Sequence, residues 1–232
     1  MTLEPLFLLP GLLCDRRLFG PQISVFSQER TVHVADTTRD DNFADMARRV
    51  LAEAPDSFVL AGLSMGGYLA LEVIRQAPER VTRLALLDTN ARADTPEQTQ
   101  SRRDLIALAQ RGRFHGVSDK LIPNFIHPRR LKDQGLCDLI RSMASHIGKD
   151  AFLRQETAIL GRDDARDRLS AITCPTLALC GRQDVLTPPD RHQEIAERIP
   201  NATLVVLPDC GHLSTLEQPG KVTRQLKAWL ED

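Results

Sequence analysis

Two rhythms of apolar and polar positions divide this chain. Six short runs are apolar at almost every position: PLFLLP at 5–10, TVHVAD at 31–36, SFVLAG at 57–62, RLALLD at 83–88, TLALCG at 176–181 and TLVVLP at 203–208. A strand that is apolar on both faces is one covered on both faces, so each run predicts a strand of a parallel sheet. Between the runs, apolar positions recur at helical spacing. Phe43, Met46, Ala47, Val50 and Leu51 form one stripe over 42–54, with Asn42 placed to cap it. Helices are also predicted over 64–76, 189–198 and 219–230, the last with Pro219 in its first turn. The alternation predicts an α/β fold: a mostly parallel sheet of about six strands with helices on both faces. From 96 to 168 the strand rhythm stops. Amphipathic stretches around 97–110, 118–126, 128–147 and 149–160 predict a helical cap inserted between the fourth and fifth strands of a single domain spanning 1–232. Helices inserted at a sheet edge shape a pocket, so the cap is expected to cover a binding site.

Composition narrows the function classes. Apolar residues make up 42% and charged residues 26%, with a formal net charge of −1, so no basic footprint for nucleic acid or for a membrane surface is present. No apolar stretch approaches the roughly 20 residues needed to span a bilayer. The opening MTLEPLFLLPGLLCDRR has a short apolar run but no basic start, and Glu4 and Pro5 interrupt it. It reads as the first strand and turn of the fold, and the protein as cytoplasmic. The five cysteines (Cys14, Cys137, Cys174, Cys180 and Cys210) are scattered and odd in number, which points to reduced thiols rather than disulfides or a zinc site. No metal or cofactor motif appears: H-E-x-x-H and the Gly-rich phosphate loop are both absent, and His192 with Glu194 and Glu197 lacks a third converging ligand.

The chemistry is concentrated around Gly62-Leu63-Ser64-Met65-Gly66, where the third apolar run passes directly into a helical pattern. A serine at such a strand-to-helix turn is lifted above the C-terminal edge of the sheet, and flanking glycines let strand and helix approach closely. Serine at its free pKa is a poor nucleophile and needs a histidine base, itself oriented by a carboxylate. Of six histidines, His212 alone lies on a loop directly after the last strand run. Three carboxylates are candidates for the third partner: Asp184, just past the fifth run; Asp88, at the end of the fourth; and Asp209, three residues before His212. Position favours Asp184, since a residue as near as Asp209 more often serves a turn. Two N–H groups must receive the oxyanion. Met65, after the serine, and Leu12, in the turn opened by Gly11, are the candidate donors. Leu13, Leu186 and Leu213 are candidate pocket residues beside them, and His115, Phe125, His127, Met143 and His146 are candidates reaching down from the cap.

These segments in this order, LLPG, GLSMGG, GRQDVLTPP and GHLSTLEQP, resemble the α/β-hydrolase superfamily over nearly the whole chain except the cap. Within it they look most like 3-oxoadipate enol-lactonases and related small esterases. Pro10-Gly11 stands where many members carry a His-Gly pair, and only nine residues precede that turn, so no leading strand hairpin is expected. The resemblance implies a Ser64–Asp184–His212 triad, an acyl-enzyme mechanism, no cofactor and a small ester or lactone as substrate. The same triad also serves thioesters, amides, carbon–carbon cleavage and perhydrolysis. A third reading, from another class, is a small-molecule receptor with little turnover.

Overall fold

The structure is a computed structural model that describes residues 3–231; Met1, Thr2 and Asp232 lie outside the described residues. Each of the six apolar runs coincides, within two residues at either end, with a strand: β1 (Leu6–Leu9), β2 (Val32–Val34), β3 (Phe58–Leu63), β4 (Val81–Leu87), β5 (Thr176–Gly181) and β6 (Ala202–Leu207). They form one sheet in the order β2-β1-β3-β4-β5-β6, with every pair parallel. The period-2 alternation of strands sorts their side chains onto two cores. Leu6, Leu8, Val59, Ala61 and Leu63 face one side, with Phe19, Phe26 and Trp229; Phe7, Leu9, Phe58 and Leu60 face the other, with Met46, Leu69 and Ile195. The expectation of strands covered on both faces holds for the four central strands. The outer strands β2 and β6 are half-exposed, because each has a neighbour on one side only.

The helices are α1 (Gly20–Phe26), α2 (Phe43–Glu53), α3 (Met65–Gln76), α4 (Pro96–Gln110), α5 (Ile122–Phe125), α6 (Gln134–Leu160), α7 (Pro189–Arg198), α8 (Ser214–Glu217) and α9 (Pro219–Glu231). The side chain of Asn42 accepts the N–H of Asp45, as a helix cap does. The short α1 and α8 carry too little periodicity to stand out in the sequence. Between β4 and β5 the described chain is helical, made of α4, α5 and α6 with 3-10 turns. The two stretches predicted on either side of residue 148 form one long helix, broken by Gly148 at φ 76 and ψ 176, a conformation that only glycine adopts without strain. The stretch predicted over 118–126 forms only the single turn of α5. Among the described residues no helix is long and apolar enough to cross a membrane.

Candidate active site

Ser64 sits between β3 and α3 at φ 56 and ψ −116, a strained conformation for any residue with a side chain. Two glycines make the turn possible. A Cβ on Gly62 would overlap the Gly66 carbonyl oxygen, and a Cβ on Gly66 would overlap the Leu9 carbonyl oxygen. The turn is then held by hydrogen bonds to the Ser64 backbone. Ser64 N–H donates to the Leu87 carbonyl at 2.9 Å, and the Ser64 carbonyl accepts from Gly67 N–H and from the Thr89 hydroxyl, both at 2.8 Å. Thr89 is braced in turn by buried His192, whose Nε2 accepts the Thr89 N–H at 2.8 Å. Burial lowers the His192 pKa to about 4, so its ring stays neutral and keeps that acceptor.

The partners converge from two loops beyond the same sheet edge. His212 Nε2 lies 2.9 Å from Ser64 Oγ, and His212 Nδ1 lies 2.8 Å from Asp184 Oδ2. An ionised carboxylate can only accept, so Nδ1 carries the ring proton and Nε2 is left free to accept from the serine. Asp184 is held by three more donors: Leu186 N–H at 2.9 Å, Thr187 N–H at 3.0 Å and the Thr187 hydroxyl at 2.7 Å. Burial pushes its carboxyl up, but the His212 ring and the Thr187 donors outweigh burial and hold it below the usual range. Burial opposes charge on His212, yet Asp184 first, then Asp88 and Glu217, keep its pKa above the ordinary histidine value.

The other two acid candidates are placed differently. Asp88 is wholly buried, but it accepts from Gly181 N–H at 3.1 Å and from the backbone and hydroxyl of Ser214. Burial, and then the charge of Asp184, raise its pKa well above the carboxylate range. Asp209 is exposed and ion-paired with Arg129 at 2.9 Å. The N–H groups of Leu12 and Met65 have no acceptor among the described residues, and both residues line the cavity at Ser64.

That cavity measures about 790 Å³ and is also lined by Leu13, Leu186 and Leu213. Leu186 is 41% exposed and stands at its rim, whereas Leu13 and Leu213 are buried. The helical stretch from 96 to 168 supplies most of the far wall. Leu105, Phe114, Phe125 and Phe152 make it apolar, and Arg102, Glu156 and Arg162 make one side of it ionic. Arg102 bridges Asp94 at 2.7 Å and Glu156 at 2.8 Å, and Arg162 lies 4.2 Å over the Tyr68 ring. Of the residues expected to reach down from this stretch, His115 and Phe125 line the cavity. Met143 is wholly buried in the core, His127 is buried against Glu217, and His146 lines a separate groove. The five cysteines are free, and burial pushes the Cys14 thiol up to about 12. Among the described residues no three His, Cys, Asp or Glu side chains converge as metal ligands.

Several supporting residues were not singled out in the sequence. Thr187 was within reach, since it lies inside the DVLTPP stretch that marks Asp184. Glu217 binds Gly211 N–H at 2.9 Å and His127 N–H at 2.7 Å, pinning the His212 loop to the chain just after α5. His212 N–H and Leu213 N–H both donate to the Phe125 carbonyl, at 3.1 and 3.0 Å. Gln155 and Glu156 carried one signal: both are polar residues beside an apolar stripe of α6 formed by Ala151, Phe152, Ala158 and Ile159.

A family model for the alpha/beta hydrolase family matches residues 6–225. A pimeloyl-[acyl-carrier protein] methyl ester esterase of Nitrosomonas europaea is 26% identical, over 92% of this chain and 90% of that protein. A thermophilic esterase from Thermogutta terrifontis, solved with malate bound, superposes with a TM-score of 0.90 at 29% identity, covering 99% of this chain and 90% of that one. The enol-lactonase from Burkholderia xenovorans shares the fold with a TM-score of 0.89 at 22% identity, over 100% of this chain and 93% of its own.

Proposed function

The chain belongs to the alpha/beta hydrolase family, and from that premise we propose that it hydrolyses small carboxylic esters or lactones through Ser64, His212 and Asp184. The observation that carries this reading is the strained Ser64, whose Oγ lies 2.9 Å from His212 Nε2 while Nδ1 of the same ring meets Asp184 at 2.8 Å. Ser64 Oγ attacks the carbonyl carbon as its proton passes to His212 Nε2. Negative charge gathers on the carbonyl oxygen, between the N–H groups of Leu12 and Met65. Met65 also begins α3, whose positive dipole end favours that charge. Asp184 steadies the imidazolium that forms. His212 returns the proton to the departing alcohol, or to the ring oxygen of a lactone, leaving Ser64 acylated. A water then attacks the acyl carbon, giving its proton to His212, and His212 passes that proton to Ser64 Oγ as the Oγ–acyl bond breaks and the acid leaves.

The stretch from 96 to 168 acts as a cap in this reading. It provides the apolar wall for the acyl or alcohol chain and excludes water from the reacting carbonyl. Esters rank above receptor-type binding because the strained Ser64 conformation is costly to keep and presents its hydroxyl to a paired base. Hydrolysis of p-nitrophenyl esters from acetate to decanoate tests the proposal, with Ser64→Ala measured beside the wild type. The expected result is wild-type turnover and a loss of about 10⁴-fold or more in the variant. Full activity in Ser64→Ala would remove Ser64 as nucleophile. Binding of these esters without turnover by either protein would favour the receptor reading.

A further inference from the structure

The turn that carries Leu12 has a single backbone bond of its own and a strained residue inside it. Leu13 stands at φ 58, a left-handed conformation uncommon for leucine, and the turn closes on a bond from Cys14 N–H to the Gly11 carbonyl at 3.1 Å. The group that holds Leu13 comes from far along the chain. Gln155, in the second half of α6, accepts the Leu13 N–H through Oε1 at 3.1 Å. Its Nε2 donates to the carbonyl and the hydroxyl of Thr37, each at 3.2 Å. The Leu13 amide can only donate and the Thr37 carbonyl can only accept, so these partners set which way the Gln155 amide faces.

Gln155 is wholly buried on the apolar side of α6, between Phe152 and Ile159. A methionine there would fill the space without a polar group to satisfy. What glutamine adds is a bridge from α6 to two loops at the sheet edge, those following β1 and β2. The bridge occupies the Leu13 N–H and fixes its peptide plane, while the Leu12 N–H beside it stays a free donor.

We infer that Gln155 is a positioning residue for the oxyanion site. It locks Leu13 in its left-handed conformation and thereby sets where the Leu12 N–H stands relative to Ser64. The inference rests on the hydrolase reading for its catalytic consequence, but the anchoring itself does not depend on any reaction. The helical stretch then takes part in the chemical step as well as in choosing substrates.

The test has an arm that needs no substrate. Amide hydrogen exchange by NMR on the wild-type protein is expected to find the Leu13 amide protected and the Leu12 amide exchanging freely. Equal exchange at the two positions would overturn the anchoring. Gln155→Met keeps the side-chain length and removes the acceptor, and Gln155→Glu keeps the acceptor. In Gln155→Met the Leu13 amide is expected to lose protection, and kcat for the best p-nitrophenyl ester to fall about 10- to 100-fold, with KM changed by less than about threefold. Gln155→Glu is expected to retain more kcat than Gln155→Met at the same pH. A released Leu13 amide with unchanged kcat would overturn the positioning role. If the wild type turned over neither an ester nor a lactone, the proposed function would fail, and the exchange arm would still decide the anchoring.

Discussion

Around Ser64 the close packing is backbone against backbone, with Thr89 and His192 as braces; across the cavity, between 96 and 168, the chain is held by side chains. At the serine, Gly62 and Gly66 bring β3, α3 and the end of β1 within a distance that no Cβ allows. In the helical stretch the fastenings are Arg102 between Asp94 and Glu156, Gln155 on Leu13, and the ring pair Phe114–Phe152 at 5.2 Å. Backbone contact leaves little freedom in geometry and almost none in residue type. Side-chain contact can be rebuilt with other residues, so the second region can change shape while the first stays constant. Under the proposed function, reaction type belongs to the first region, and substrate choice belongs to the second, which reaches the chemistry through Gln155 on Leu13.

The largest expected effect comes from a substitution on the sheet side. Asp184→Asn leaves the shape intact but favours the wrong histidine tautomer, and kcat should fall about 10⁴-fold for every ester in a chain-length series. Phe114→Ala, on the helical side, should instead change the ranking of substrates. It widens the cavity, and discrimination between neighbouring chain lengths should shift by about 10- to 100-fold toward the longer ester, read as kcat/KM across the series. A uniform loss in Phe114→Ala would erase the division between the two regions.

Next in size is a pair of glycines. Gly66→Ala drives a Cβ into the Leu9 carbonyl and should cost about 3 kcal/mol or more, enough to prevent accumulation of folded protein. Gly148→Ala, at the break in α6, meets nothing within 4 Å and pays only for its backbone conformation, about 1–3 kcal/mol. Urea unfolding of both proteins checks the order. A milder loss in Gly66→Ala than in Gly148→Ala would contradict the backbone-contact account of the turn.

The smallest effect is graded with pH, and its sign differs for activity and stability. In the proposed mechanism His212 accepts the serine proton only when neutral, so kcat/KM should fall about tenfold per pH unit below its raised pKa. Because that pKa lies above the unfolded value near 6.5, the pairing with Asp184 adds stability that is fully present below 6.5 and lost as pH rises through the folded value. Asp184 runs the other way: its lowered pKa adds stability above the unfolded value of about 3.8, lost as pH falls through the folded one. In Asp184→Asn the acid limb of the activity profile should move to lower pH. An unmoved limb would mean that His212 is tuned by other groups.

Much of this molecule is legible in its sequence. Strands and helices separated because a period of two and a helical period do not mix. Gly62-x-Ser64-x-Gly66 named the turn because only glycine tolerates that approach, and Asp184 and His212 followed from their places after β5 and β6. Even Gly148 announced itself as the gap between two predicted helices. What the sequence left open were contacts between residues far apart in the chain. Asp88 and Asp184 both end at the sheet edge near His212; only the packed structure shows one surrounded by four donors to its charged form and the other buried against Ser214. Gln155 stands 142 residues from Leu13, and no local pattern links them. Periodicity and turn chemistry are properties of neighbours in sequence, so the chain states them itself. Which buried polar group meets which partner depends on how the layers pack, and only the tertiary structure decides it.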